Sequence, residues 1–435
     1  MVARALLALL TAGPMLAQAV SSTVDALGGA MMLGAYGDAL GGNFELLGME
    51  GKTMAAADRT TTIAPFGKFY DAEQLAGYQQ PWGIWVNATA APGVAGMVTD
   101  DTSFRVWLLE SWLNATRPSA AALRDQVALK TWMEKEEEAL WAHETYDCDH
   151  VEPDGGPFQP YCINARRRGM LSDFLVMSDL AGIGTPKKRT RGENKFFEKG
   201  CPAAFGLYMF LEAAVAASAH MQPADAFNTF YNMTDLDLEY GGLVTGVMMT
   251  MAVQAGQADS KEAFGPWFLA TMADTLQEIA ASHGAGLPSL ALVGSRYSLM
   301  TKLGSSVAGD DEALLAAWTR TYNDKTLTPQ HKFRNSDPLL MLMEIGLFVA
   351  GTSTQPGHAV QLMAEAPGDS DTVASILGVV EGAYYGASRL EQAMPAVAAQ
   401  VSGPLRRFMD AYYRIDWFTQ ASAMAGWVGA HDVEK

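Results

Sequence analysis

Apolar residues in this chain recur three and four positions apart in segment after segment, a spacing that suits helices and excludes most other architectures. Phe104, Trp107, Leu108 and Trp112 make one such stripe, and Val373, Ile376, Leu377 and Val380 make another. Each collects its apolar side chains on one helical face. The same period runs through segments near 24–40, 103–143, 203–221, 237–282, 310–322, 336–351, 370–386 and 393–413, separated by Gly, Pro, Asn and Asp clusters. No train of alternating strands interrupts the series. The expected fold is all-α, a compact single-domain helical bundle over 20–435 with loops inserted near 50–98 and 146–200. At 435 residues and 49% hydrophobic, the chain has ample material for a large core.

Two segments share a texture that bears on packing: Gly29-Ala30-Met31-Met32-Leu33-Gly34-Ala35-Tyr36-Gly37 and Gly378-Val379-Val380-Glu381-Gly382-Ala383-Tyr384-Tyr385-Gly386. Small residues spaced four apart form a ridge along which another helix backbone can approach closely. The spacing predicts two central helices.

The net charge of −18 argues against nucleic acid as a partner, because binding to phosphate backbones is driven by Lys and Arg charge that this chain lacks. Small anionic ligands stay open, since a metal ion or a helix N-terminus can hold them on an acidic protein. At the N-terminus, Met1-Val2-Ala3-Arg4 precedes an apolar run from Ala5 to Met15 and then Ala17-Gln18-Ala19. This matches a signal peptide over 1–19 and predicts a secreted or periplasmic protein; an Ala/Leu-rich first helix of the mature fold is the other reading. Nothing else predicts stable membrane insertion, and the run from Val247 to Val253 is too short to span a bilayer. Sequons begin at Asn87, Asn114 and Asn232. Cys148 and Cys162 bracket a Pro/Gly-rich loop that a disulfide can staple, which leaves Cys201 over. A zinc site of Cys148, His150 and Cys162 is the alternative, without the paired Cys-x-x-Cys spacing. The basic runs Arg166-Arg167-Arg168 and Lys187-Lys188-Arg189-Thr190-Arg191 read as solvated loops.

Chemistry concentrates in two acidic clusters, Thr99-Asp100-Asp101-Thr102 and Asp369-Ser370-Asp371-Thr372, each placed just before an amphipathic helical run. Taken singly, either is explained by helix capping, because Asp and Thr accept hydrogen bonds from the free N–H groups of a first turn. Taken together they offer four carboxylates and several hydroxyls, a hard all-oxygen donor set suited to Mg²⁺, Mn²⁺ or Ca²⁺ rather than zinc. Spacing alone does not decide between caps and a metal site.

A resemblance bears on the choice. Gly34-Ala35-Tyr36-Gly37-Asp38-Ala39-Leu40-Gly41 followed by Glu45, then Thr99-Asp100-Asp101-Thr102, then Gly368-Asp369-Ser370-Asp371-Thr372 running into Gly382-Ala383-Tyr384-Tyr385-Gly386, resembles the ADP-ribosylglycohydrolase family in motif, order and helical context. That family includes ADP-ribosyl-arginine and ADP-ribosyl-serine hydrolases, the dinitrogenase reductase-activating glycohydrolase and a lens crystallin that keeps the fold. The resemblance covers about Ala26 to Gly386. It implies two Mg²⁺ ions, with Mn²⁺ as a substitute, held by Thr99, Asp100 and Asp101 on one side and Asp369, Asp371 and Thr372 on the other. It also implies Glu45 as the catalytic carboxylate and general base, with Asp38 capping or supporting the site. Gly200, Cys201, Ala203 and Asp235 fall at the family's ligand-binding positions. Here the sequence departs from the pattern: Pro202 replaces a Gly, Gly206 an Arg or similar polar residue, and Asp235 a His.

The expected protein is therefore a monomeric metal-dependent hydrolase. Its substrate would be an ADP-ribosylated protein or a small ADP-ribose conjugate. The alternative is a catalytically degenerate ADP-ribose- or metal-binding protein, or a structural one, of the same fold.

Overall fold

The computed structural model describes residues 23–42, 98–99, 101–102, 105, 125–142, 171, 175, 179, 182–185, 211–233, 240–259, 262–287, 289–324, 326 and 337–408. Among these residues every regular element is a helix and no strand occurs, as the apolar spacing predicts. In chain order the helices are α1 (23–41), α2 (Gln126–Ala142), α3 (Leu211–Ala217), α4 (Pro223–Met233), α5 (Gly241–Gln257), α6 (Phe264–His283) and α7 (Leu290–Ser306). They continue as α8 (Asp311–Asn323), α9 (Pro338–Gly351), α10 (His358–Ala364), α11 (Ser370–Tyr385), α12 (Ala387–Ala393) and α13 (Pro395–Gln400), with further helical turns to residue 408. None is long and apolar enough to cross a membrane among the described residues.

Three helices, α5, α9 and α11, are buried over nearly their whole length and pack on one another. A helix that is apolar all round belongs in the centre of a bundle, and these form the core around which amphipathic helices such as α6, α7 and α8 lie. The two small-residue segments prove to face each other. Gly29 of α1 lies against Gly382 of α11, Gly37 against Ala374, and Gly41 against Asp371, so the two helices run antiparallel with their backbones touching. A Cβ at Gly37 would stand 2.5 Å from Ala374 O. The end of α1 is thereby pressed onto the start of α11.

The ridge gives a stability prediction. Gly→Ala inside a helix ordinarily stabilises by about 1 kcal/mol. At Gly382 the new methyl group would meet Gly29 O and the Ala30 backbone, which cannot swing aside as a side chain can. Overpacking of this kind costs about 1–3 kcal/mol and should outweigh the propensity gain. Gly382→Ala is expected to lower the urea midpoint by a net amount worth about 1 kcal/mol, with the slope unchanged.

Several boundaries differ from those the sequence predicts. The segment 237–282 is two helices, because Ala258 and Ala263 are extended and Pro266 sits in the first turn of α6, where its missing N–H is harmless. Pro223 likewise opens α4 at the first helical position instead of breaking a helix. Helices α4, α7 and α10, and α12 but for its last residue, lie outside the predicted segments. On α7 the buried face is Val293, Tyr297, Met300 and Gly304, and the glycine that packs onto Leu347 adds nothing to an apolar pattern. The loop expected near 146–200 carries helical residues at Leu171, Leu175 and Asp179, with both leucines buried at helical spacing. Residues 1–19, Asn87, Asn114, Cys148, Cys162 and Cys201 lie outside the described residues, whereas Asn232 is exposed on α4.

Candidate functional site

The antiparallel pairing of α1 and α11 brings Asp38, near the end of one helix, beside Asp371, in the first turn of the other. Ser370 Oγ donates to Gly41 O at 3.1 Å and pins the junction. The chain segment from Thr99 to Thr102 closes the third side. Asp38 is fully buried and accepts from Thr99 N at 3.0 Å and Thr99 Oγ1 at 2.7 Å through one oxygen, and from Thr102 N at 2.9 Å through the other. It caps, from 61 to 64 positions away, the helical turn that starts at Asp101.

The two acidic clusters meet. Thr372 Oγ1 donates to Asp101 Oδ2 at 3.1 Å across 271 positions of sequence. Thr99 Oγ1 lies 3.2 Å from the same oxygen. Asp38, Asp101 and Asp371 each present a carboxylate oxygen within 4.8 Å of the other two, and all three are buried. Two like unit charges that close repel by about 3 kcal/mol or more even at an effective dielectric of about 20. Hydrogen bonds worth about 1 kcal/mol each do not offset three such repulsions. Independently of that repulsion, burial raises the Asp38 carboxyl above its usual range, against the pull of its bonds from Thr102 and Thr99 and of Arg105. Such a group must either hold protons or hold a cation, and an all-oxygen donor set without histidine suits a hard divalent cation.

Capping alone does not explain the second cluster. Asp310 bonds Ala313 N at 2.9 Å at the start of α8, and Asp337 bonds Leu339 N at 2.8 Å at the start of α9, as caps do. Asp369 occupies the corresponding position of α11 and makes no side-chain capping bond. Asp371 accepts from its neighbour Thr372 N at 2.8 Å. The sequence of residues 20–419 matches the model of the ADP-ribosylglycohydrolase family. The chain belongs to that family. It is a glycosidic-bond hydrolase of a family that acts on ADP-ribosylated substrates, and its buried acidic triad can hold a metal ion. No curated protein matches the chain.

Of the residues singled out from sequence, Thr99, Asp101, Asp371 and Thr372 converge, and Asp369 lies at the same helix start. Glu45, Asp100, Gly200, Cys201, Ala203 and Asp235 lie outside the described residues.

Arg105, Glu212 and Glu344 are buried ionic residues to which the sequence alone assigns no role. Arg105, one turn after Thr102, is 2% exposed; its Nε pairs with Glu212 Oε1 of α3 at 2.8 Å, and its Nη2 donates to Ser375 Oγ at 2.6 Å. Ser375 Oγ in turn donates to Gly34 O at 2.8 Å, so one guanidinium ties the Thr99–Thr102 segment, α1, α3 and α11 together behind the triad. Burial lifts the Glu212 carboxyl above the usual range although Arg105 draws it down. Glu344 of α9 is raised well above its usual range, first by burial and then by the like charge of Asp369. A lone Arg on an apolar stripe and a lone Glu inside the apolar 338–351 segment were the available signals.

Glu381, ten residues along α11 from Asp371, supplies a pH prediction away from the triad. Its Oε1 accepts from Gly357 N at 2.8 Å, its Oε2 is buried with no hydrogen-bond partner among the described residues, and it borders a small pocket with Phe264, Thr352 and Tyr385. Burial raises its pKa from 4.5 to about 8. The folded state thus binds the proton more tightly than the unfolded chain, and stability should fall as pH rises from 4.5 through about 8. Glu381→Gln is expected to flatten this part of the stability curve, measured by urea unfolding at a series of pH values.

Proposed function

We propose that the chain releases ADP-ribose from a protein side chain or a small conjugate, using two Mg²⁺ ions with Mn²⁺ as a substitute. Thr99, Asp100 and Asp101 would hold the pair from one side, and Asp369, Asp371 and Thr372 from the other. The observation that carries this reading is the Thr372 Oγ1 to Asp101 Oδ2 bond, which joins the two clusters beside three buried carboxylates.

Cleavage at ribose C1 develops positive charge on the sugar and calls for an activated water and a fixed ring. The cations, when bound, supply Lewis-acid polarisation and oxygen ligation. The chain's own residues supply the rest. Asp38 fixes Thr99 and the Thr102 backbone, Arg105 and Ser375 hold the segment against α1 and α11, and Glu45 is assigned as the base that takes the proton of the attacking water. Export through the 1–19 leader is part of the proposal, and N-terminal sequencing of exported protein should begin after Ala19.

The test is release of ADP-ribose from arginine-, serine- and acetyl-linked substrates by the purified mature chain. Release that requires Mg²⁺, stops on chelation and returns with Mg²⁺ or Mn²⁺ supports the reading. Release indifferent to chelation contradicts it. The departures at Pro202, Gly206 and Asp235 favour a second reading, a member that binds ADP-ribose without hydrolysing it. ADP-ribose binding with no release from any linkage would select that one.

A further inference from the structure

Helix α9 carries a single charged side chain among the buried residues from Leu339 to Gly351, and that side chain is Glu344. It is 3% exposed, and among the described residues its Oε1 has no hydrogen-bond partner. Burial first, and then the like charge of Asp369 at the start of α11, against which α9 packs, disfavour its ionised form. A buried position on a helix whose other buried residues are all apolar would be better filled by an apolar residue of similar volume, because a buried carboxyl oxygen without a partner is unfavourable in either protonation state. A second carboxylate beside it compounds the penalty. A cation bound next to Asp369 removes both objections together.

We propose that Glu344 is a further carboxylate of the cation site, serving its Asp369 side, in addition to the acidic residues of the two Asp/Thr clusters. The proposal rests on the metal-dependent reading given above. Glu344 comes from a third helix, so cation binding would tie α9 to α11 as well as joining α11 to the Thr99–Thr102 segment. An orphaned acid in the core is a defect without the cation and a ligand with it. The structural alternative is a protonated carboxyl in a dry core that serves no ligand, and it makes a different prediction for metal affinity.

The experiment is calorimetric titration of chelator-stripped full-length protein with Mn²⁺, alongside urea unfolding of the metal-free forms. Wild type, Glu344→Gln, Glu344→Met and Asp371→Asn are compared. Glu344→Gln is expected to weaken Mn²⁺ binding by about tenfold or more, with metal-free stability equal to or above wild type. Glu344→Met should show the same pair of effects and decides the matter if the Gln variant does not fold. Mn²⁺ affinity within about twofold of wild type in the folded Glu344 variants, with the cation lost in Asp371→Asn, overturns this proposal and leaves the metal-dependent reading standing. Wild-type protein that binds no Mn²⁺ overturns both.

Discussion

Asp371→Asn should reduce kcat/KM for ADP-ribose release by about three orders of magnitude at saturating Mg²⁺, the several kcal/mol that a metal's charge contributes to a transition state. Asp371 is the carboxylate at which the three elements of the site converge. It is 1% exposed, it lies against Gly41 at the end of α1, and it belongs to the triad with Asp38 and Asp101. Asparagine keeps the volume and one carbonyl acceptor for Thr372 N, so the bond at 2.8 Å can persist while the charge is gone. Removing one of three mutually repelling carboxylates also relieves the metal-free protein. The expected signature is therefore double: activity and cation affinity collapse while the metal-free unfolding midpoint holds or rises. A midpoint that falls in step with activity would assign Asp371 to the framework instead.

Arg105→Met should destabilise the fold by about 3–5 kcal/mol, the range seen when one partner of a buried ion pair is removed. The variant leaves Glu212, 5% exposed, without the guanidinium 2.8 Å away, and also removes the donor to Ser375 Oγ. Methionine fills most of the space, so lost packing contributes little and the uncompensated carboxyl dominates. The paired variant Arg105→Met with Glu212→Met should recover most of that stability, because the two desolvation penalties disappear together. Urea unfolding of the four proteins of this double-mutant cycle reads the coupling directly. Recovery of stability without recovery of activity would show that the guanidinium positions the Thr99–Thr102 segment and is not only a structural brace.

Much of this architecture is legible before any coordinates. The helical period identifies α8, α9 and α11 to within a residue or two, since each buries a broad apolar face. The glycine ridges of α1 and α11 are equally plain, but their being each other's partner is not, because spacing along one helix does not say what lies across from it. Helix α7 escapes notice because its contact with α9 runs through Gly304 and Gly346, which are small rather than apolar. The same limit applies at the site. The residue types of Thr99–Thr102 and Asp369–Thr372 suit oxygen ligation and helix capping alike, and the role of Asp38 depends on contacts made across more than sixty positions. Arg105 is in sequence only a lone Arg on an apolar stripe, and its partners Glu212 and Ser375 lie 107 and 270 positions away.

The most direct test of the central claim is anomalous diffraction from crystals soaked with Mn²⁺ and ADP-ribose. The account predicts two manganese peaks between the Thr99–Asp101 and Asp369–Thr372 clusters, with Asp101 and Asp371 among the ligands and the ribose beside them. An ordered triad of Asp38, Asp101 and Asp371 with no anomalous peak, at Mn²⁺ concentrations that saturate any activity, would contradict it.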